Sequence, residues 1–275
     1  MALTKIKSSN ILDGTIANVD LGSGVGAGGS VKNLIINGDF TNVIDQRGSS
    51  GASATTGYCV DRWSRIYSIS VQKNTGYTRF TDTSSNNSSR FHQKIEYGKN
   101  AFNGKKVTLS IKVKRVSGSA QLSLRMMIGS GVYTSNVSFT PTANYDTYSA
   151  TFDFTSSNIT IENPEVMIYM GGGNVLDIQY VQLELGSTAS DFEYRSYGEE
   201  LALCQRYYQV HPAIDREIYD YGQGRIHYNL PVTMRTLSYT VAMLHGTHTV
   251  NRNNNTLITF NTGSGNFRFS LDAEL

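Results

Sequence analysis

Residues 175–208, VLDIQYVQLELGSTASDFEYRSYGEELALCQRYY, constrain the fold most, because strand, break and helix signals meet there. Leu176, Ile178 and Tyr180 alternate with polar residues, the period of a half-buried strand. Val181, Leu183 and Leu185 continue on the opposite phase. That switch predicts a β-bulge near Tyr180–Val181, or a strand that passes from one core to another. Gly186-Ser187-Thr188 breaks the strand, and Asp191-Phe192-Glu193-Tyr194 resumes an extended pattern. Ser196 with Glu199 forms a capping box, and Glu199 and Glu200 suit the positive end of a helix. Leu201, Cys204 and Tyr208 fall on one face, with Tyr197 one turn earlier. A short helix near 197–208 is predicted, burying Leu201 and Cys204 and leaving Glu199 and Glu200 exposed at its start.

The rest of the chain reads as many short strands. The cleanest is 106–116, where Val107, Leu109, Ile111 and Val113 point one way and Thr108, Ser110, Lys112 and Lys114 the other. After Gly118 the pattern repeats in Leu122, Leu124, Met126 and Ile128, which predicts a hairpin with one wet face. Tyr148, Ala150, Phe152 and Phe154 give another strand, and Val166, Ile168 and Met170 another. Strands are also expected at 33–40, 69–80 and 90–97, with a loop at 45–56. About nine strands between Asn33 and Tyr194 suggest a β-sandwich. Beyond the helix, His211-Pro212 is expected to break the chain. Strands follow at 218–230 and 232–244, then a hairpin of 256–260 and 267–271. The division is therefore 1–30, an arm ending in the linker GSGVGAGGS; 31–195, the sandwich; and 196–275, the helix with a small C-terminal β domain.

Composition excludes several classes. Charged residues make up only 17% and the net charge is +2, with no Lys/Arg block, so nucleic-acid binding is not expected. No run approaches the ~18 apolar residues of a membrane span. The first ten residues, MALTKIKSSN, carry no apolar signal core. GVGAGG at 24–29 matches a dinucleotide fingerprint in letters only, since no strand precedes it and no helix follows. Cys59 and Cys204 read as buried thiols, and Trp63, the one tryptophan, as core. Asp61 beside Arg62 and Arg65 reads as a structural ion pair. The five histidines, including the His245/His248 pair, read as polar surface residues with no metal role. No catalytic set is found, and Asp215, Glu217 and Asp220 read as a solvated loop.

Long motifs carry a resemblance. VQLELGSTASDFEYRSYGEELALCQRYYQ, the upstream NLIINGDFTNVIDQRG and YCVDRW, the downstream LPVTMRTLSYTVAM and the terminal DAEL resemble bacteriophage tail-fibre and receptor-binding proteins. That module in turn resembles jelly-roll carbohydrate-binding modules. The fold class implied is all-β: a jelly-roll β-sandwich with one short helix and a small C-terminal β domain. Such modules often hold calcium through an Asp-Asp pair before the last strand. Here those positions are Gln179 and Tyr180, so neither a metal nor another cofactor is expected.

The resemblance implies a non-enzymatic fibre protein of the virion, assembled in the host cytoplasm, that binds host-surface polysaccharide during adsorption. A capsid-decorating fibre or structural cement, and a small depolymerase, are the alternatives. Tyr67, Tyr77, Tyr133, Tyr145 and Tyr169 are the glycan-binding candidates, since tyrosine offers an apolar face and a hydroxyl with few rotors to freeze. Leu3, Ile6, Ile11, Leu12 and Ile16 are the virion-attachment candidates, because a monomer has nowhere to bury them. Phe260, Phe267 and Phe269 are expected to need cover from sister chains. A homo-oligomer follows, and by resemblance a trimer, with other virion proteins as partners of the arm.

Overall fold

The structure is a computed structural model that describes residues 32–48, 53–84, 88–118, 121–156, 159–214, 225–246, 249–261 and 267–274. The attachment candidates Leu3, Ile6, Ile11, Leu12 and Ile16, the loop with Asp215, Glu217 and Asp220, and His248 lie outside these residues.

Eleven strands form the jelly-roll sandwich: β1 Ser53–Val60, β2 Trp63–Asn74, β3 Tyr77–Asp82, β4 Arg90–Lys94, β5 Lys106–Ser117, β6 Leu122–Gly129, β7 Val132–Tyr133, β8 Val137–Phe139, β9 Asp146–Asp153, β10 Glu165–Tyr169 and β11 Val175–Leu185. Their hydrogen-bonded order is β7-β6-β10-β4-β2-β3-β11-β5-β9, with β1 on β2 and β8 on β6. The path is continuous because β2 belongs to both layers. Residues 64–66 pair with β4, and residues 69–74 pair with β3. Between them Tyr67 takes a left-handed conformation, φ 67°, which turns the strand from one layer into the other.

The layers close on one core. Val107, Leu109, Ile111, Val113, Leu122, Leu124, Phe152, Phe154, Ile168, Ile178 and Val181 are all buried in it, as the alternation predicts. Phe40, Trp63, Phe80 and Phe91 form its aromatic centre, with Phe80 stacked on Phe91 at 4.3 Å. The bulge in β11 falls at Gln179, one residue before the expected place: Ile178 pairs with Val113 and Tyr180 with Lys112.

Several expectations are corrected. β5 and β6 are not a hairpin, for β5 pairs with β11 and β9 while β6 lies in the other layer. Strands that face each other across a sandwich show the same inward alternation as strands side by side. The polar phase of β5 is not wet throughout, since Thr108 and Ser110 are buried. Residues 186–193 fold back over this outer face. Ser190 donates its Oγ–H to Glu184, Glu193 donates its N–H to Gln182, and Thr108 donates to the Gly186 carbonyl. Residues 69–80 divide into β2 and β3 at the Thr75-Gly76 turn. Part of the expected 45–56 loop is the start of β1.

Residues 33–40 are no regular strand. They run beside β11 through single contacts, Phe40 N–H to the Gln179 carbonyl and Val181 N–H to the Gly38 carbonyl. At Gly38 a Cβ would collide with the Val181 carbonyl oxygen. Asn37, at φ 60°, fills the turn with its amide: Nδ2 donates to the carbonyls of Ile44 and Asp61, and Oδ1 accepts from Ile44 N–H.

Helix α1, Tyr197–Gln205, carries the predicted capping box of Ser196 and Glu199. Cys204 is buried, and Leu201 packs partly buried against Ile36, Ile44 and Tyr207. Glu200 is not exposed: it accepts from Asn37 N–H and from Arg195. Tyr208 lies beyond the helix, in β12.

The C-terminal part adds β12 Tyr208–Ile214, β13 Arg225–Asn229, β14 Thr240–His245, β15 Thr249–Asn253, β16 Leu257–Asn261 and β17 Phe267–Asp272. They make two three-stranded sheets, β12-β17-β14 and β13-β16-β15. β16 and β17 are therefore not a hairpin. Each is the centre of its own sheet, and Phe260 and Phe269 meet at 4.8 Å, buried within this chain together with Met234, Ile258 and Leu271. The expectation that those two rings need sister chains fails for that reason. β12 passes through His211-Pro212 with an irregularity in its pairing rather than a break, and residues 230–239 are not strand.

Candidate functional site

The outer face of the β6-β10-β4 layer carries a row of aromatic and cationic side chains. In these strands the inward residues are Leu124 and Met126, Val166 and Ile168, and Phe91. The intervening positions therefore face outward. In register, Arg125 lies opposite Met167, Met167 opposite His92, and Tyr169 opposite Arg90. β7 adds Tyr133 beside Met127. The Arg125 guanidinium carbon sits 5.4 Å from the Tyr133 ring centre and 5.5 Å from that of Tyr169, and Arg90 sits 5.3 Å from Tyr169. The result is an alternating row, Tyr133, Arg125, Tyr169, Arg90, across four strands.

Beneath the row lies a buried floor of Met167, His92 and Glu165, at 2%, 9% and 4% exposure. His92 Nε2 is 3.0 Å from Glu165 Oε1. Burial, with the Arg90 and Lys94 cations, pushes the imidazole down to about 4. Burial pushes Glu165 up, opposed by the same two cations. At neutral pH the imidazole is thus uncharged and Nε2–H can donate to the carboxylate, which leaves Nδ1 as an acceptor. That buried Nδ1 has no hydrogen-bond partner. The row so combines the exposed Tyr133 ring with two guanidiniums, of which Arg90 already donates to the Ser88 carbonyl, a set able to stack on a ring and to bond hydroxyl or carboxylate groups.

His92 and His211 correct the expectation of surface histidines. His211 is buried, with Nδ1 2.9 Å from the Tyr228 hydroxyl and its ring stacked on Phe269. Burial also lowers it to about 4. Both histidines stay neutral in the fold while the unfolded chain titrates near 6.5. Their contribution to stability is complete above ~6.5 and is lost as pH falls toward 4. Asp61 acts with the opposite sign. Burial raises it to about 7, so its contribution is complete below ~3.8 and is lost as pH rises through 7. Thermal melts across pH 4 to 8 should show a shallower acid loss for His92→Gln and His211→Gln, and a shallower loss toward neutral pH for Asp61→Asn. The expected pairing of Asp61 with Arg62 is replaced by other partners. The Asp61 carboxylate accepts from Gln46 N–H and Nε2–H, Arg62 pairs with Glu274, and Arg65 donates to the Ile69 carbonyl.

The five candidate tyrosines separate. Tyr133 and Tyr169 share the row described above. Tyr77 and Tyr145 lie on the other layer's outer face around Lys114, at 5.8 and 4.8 Å. There the cations are already matched, because buried Asp177 takes both Arg79 donors, at 2.7 and 3.0 Å, and lies 3.6 Å from Lys114. Tyr67 stands alone at the bend of β2, 41% exposed. A cleft of about 620 Å³ beside α1, lined by Tyr194, Leu203 and Val232 among others, has its charges engaged in ion pairs such as Arg195–Glu200 and Arg206–Glu96. Arg90, Arg125, His92 and Glu165 were not singled out by sequence. Their only signal was polarity at the outward phase of β4, β6 and β10, and three strands distant in sequence had to be placed side by side.

No protein-family model matches this chain, and no curated protein matches it. Among solved structures, the CBM22-1 xylan-binding domain of Paenibacillus barcinonensis Xyn10C is 14% identical, with TM-score 0.39, over 58% of this chain and 100% of its own. A structure described as CBM4 is 17% identical, with TM-score 0.37, over 55% of this chain and 98% of its own. The enzymatically active domain of tailspike protein 4 from bacteriophage CBA120 is 10% identical, with TM-score 0.36, over 56% of this chain and 21% of its own. Likeness this remote carries no conclusion about what this chain binds.

Proposed function

We propose that this chain is a non-catalytic, glycan-binding fibre protein of a phage virion, which contacts host-surface polysaccharide through the Tyr133–Arg125–Tyr169–Arg90 row. The observation that carries the glycan reading is that row: two tyrosine faces separated by a guanidinium that holds no carboxylate among the described residues. The virion role rests on the sequence motifs quoted above. An open tyrosine surface holds a sugar weakly, near ~1 mM per site. A homotrimer anchored through residues 1–30 would raise avidity by ~10²–10⁴ without new contacts.

The test is affinity electrophoresis through gels loaded with host envelope polysaccharide. Wild-type protein should be retarded. Tyr133→Ala and Tyr169→Ala should each restore free mobility, and Tyr133→Ala should leave the unfolding free energy within about 0.5 kcal/mol of wild type, as for a surface position. Retardation untouched by both substitutions would move the site elsewhere. New reducing ends in the incubated polysaccharide would make the protein an enzyme. Antibody labelling of particles and light scattering of the purified chain test the virion position and the trimer.

A further inference from the structure

We infer that the polysaccharide this row accepts is acidic, bearing carboxylates along its chain; the inference rests on the glycan-binding reading. Several arginines of the molecule are matched by carboxylates. Arg47, Arg62, Arg79, Arg195 and Arg206 each hold a carboxylate. Arg125 and Arg90 hold none within ion-pair distance among the described residues, and Arg90 donates from Nη1 to the Ser88 carbonyl at 3.3 Å. Both lie on one face, on either side of Tyr169.

Their guanidinium carbons stand 5.3–5.5 Å from the ring centres. Arg62, closely stacked, lies 3.5 Å from Tyr207. At the wider spacing the terminal nitrogens of Arg125 can present donors to a carboxylate, while the exposed Tyr133 ring takes a sugar. A neutral glycan would leave the Arg125 guanidinium without a counter-charge. Floor and row together carry the cations Arg90 and Arg125 against the single carboxylate of Glu165, with Lys94 opposite Glu165, so the face favours an anion. The alternation of ring and cation suits a polymer in which sugar faces and carboxylates also alternate.

The experiment is affinity electrophoresis of the full chain against polygalacturonate, alginate and hyaluronate, beside dextran, xylan and mannan, at low and high salt. Retardation by at least one acidic polymer is expected, weakening as salt rises. Arg125→Gln should lower that affinity about tenfold, the equivalent of one charge-assisted hydrogen bond, with unchanged melting. Arg125→Lys should recover part of it, since charge returns without the fork. Retardation by neutral polymers alone would overturn the acidic preference and leave glycan binding standing. Retardation by acidic polymers that ignores both Arg125→Gln and Arg90→Gln would also overturn it. Failure of every polymer would overturn the glycan reading with it, and retention of an oligo-dT strand in their place would assign the row to nucleic acid.

Discussion

Glu274→Ala should cost about 3–5 kcal/mol, the range for breaking a buried ion pair by removing one partner. The residue sits next to the last position of the chain, yet its carboxylate is almost wholly enclosed. Oε2 accepts from Arg62 Nη1, and Oε1 lies 3.4 Å from Arg47 Nη2. Arg47 also holds Asp272 at 3.0 Å and lies over the Tyr208 ring at 3.6 Å. Arg62 donates to the Lys94 carbonyl and stacks on Tyr207. Nearby, Ala273 N–H bonds the Tyr207 carbonyl at 2.7 Å. The chain end thus joins the β1–β2 turn of the sandwich to the C-terminal sheets. Truncating Glu274 leaves the Arg62 guanidinium buried with no counter-charge. Because native domains are stable by only ~5–15 kcal/mol, the loss should appear as a large fall in melting temperature, and at this seam first. Thermal melts of Glu274→Ala, Arg62→Met and the double variant Arg62→Met/Glu274→Met would measure the coupling. The double variant should recover much of the loss, since an apolar pair of similar volume avoids the desolvation of both charges. A Glu274→Ala melt equal to wild type would refute the seam.

That seam also marks where the sequence stopped being legible. Period-two alternation is a local signal, so it placed the inward residues of β5, β6, β9, β10 and β11 correctly and found the bulge beside Tyr180. Local capping chemistry likewise placed the start of α1 at Ser196. Neighbour relations are not local. Nothing in 106–128 distinguishes a hairpin from two strands facing across a core. Glu200 looks like a solvated helix-start residue because its partner Asn37 comes from a segment distant in sequence. The terminal DAEL was noticed as a motif, but its meaning is Arg47 and Arg62, more than 200 residues earlier. The site follows the same rule. Tyrosine composition pointed to binding and named Tyr133 and Tyr169 among five, but the choice between them and Tyr77/Tyr145 depends on which cations find a carboxylate. Asp177 engages the cations of one face; on the other, taken for the proposed site, Arg125 holds no carboxylate among the described residues.

Trp63→Ala should cost about 3–5 kcal/mol, at the upper end for a core truncation, because it removes packing and a polar anchor together. Trp63 is fully buried between Phe40 and Phe91, at 5.4 and 5.5 Å. Its indole N–H donates to the Asn37 carbonyl at 2.8 Å. Asn37 is the left-handed residue whose amide ties Ile44 and Asp61 to the 33–40 segment, and whose N–H meets Glu200 of α1. One side chain therefore supports the sandwich core, the irregular edge beside β11 and the seat of the helix. Trp63→Phe separates the two contributions. It keeps most of the aromatic contact but leaves the Asn37 carbonyl unpaired, a loss of about 1–3 kcal/mol for a buried unsatisfied group. Chemical denaturation followed by far-ultraviolet circular dichroism gives all three stabilities on one scale, which fluorescence cannot do once the chain's single tryptophan is gone. The order wild type, Phe, Ala is expected. A Phe variant as stable as wild type would mean the indole N–H contributes nothing. An Ala variant within about 1 kcal/mol of wild type would mean that Phe40, Phe80 and Phe91 close over the vacated space, contrary to the tight packing of a protein core.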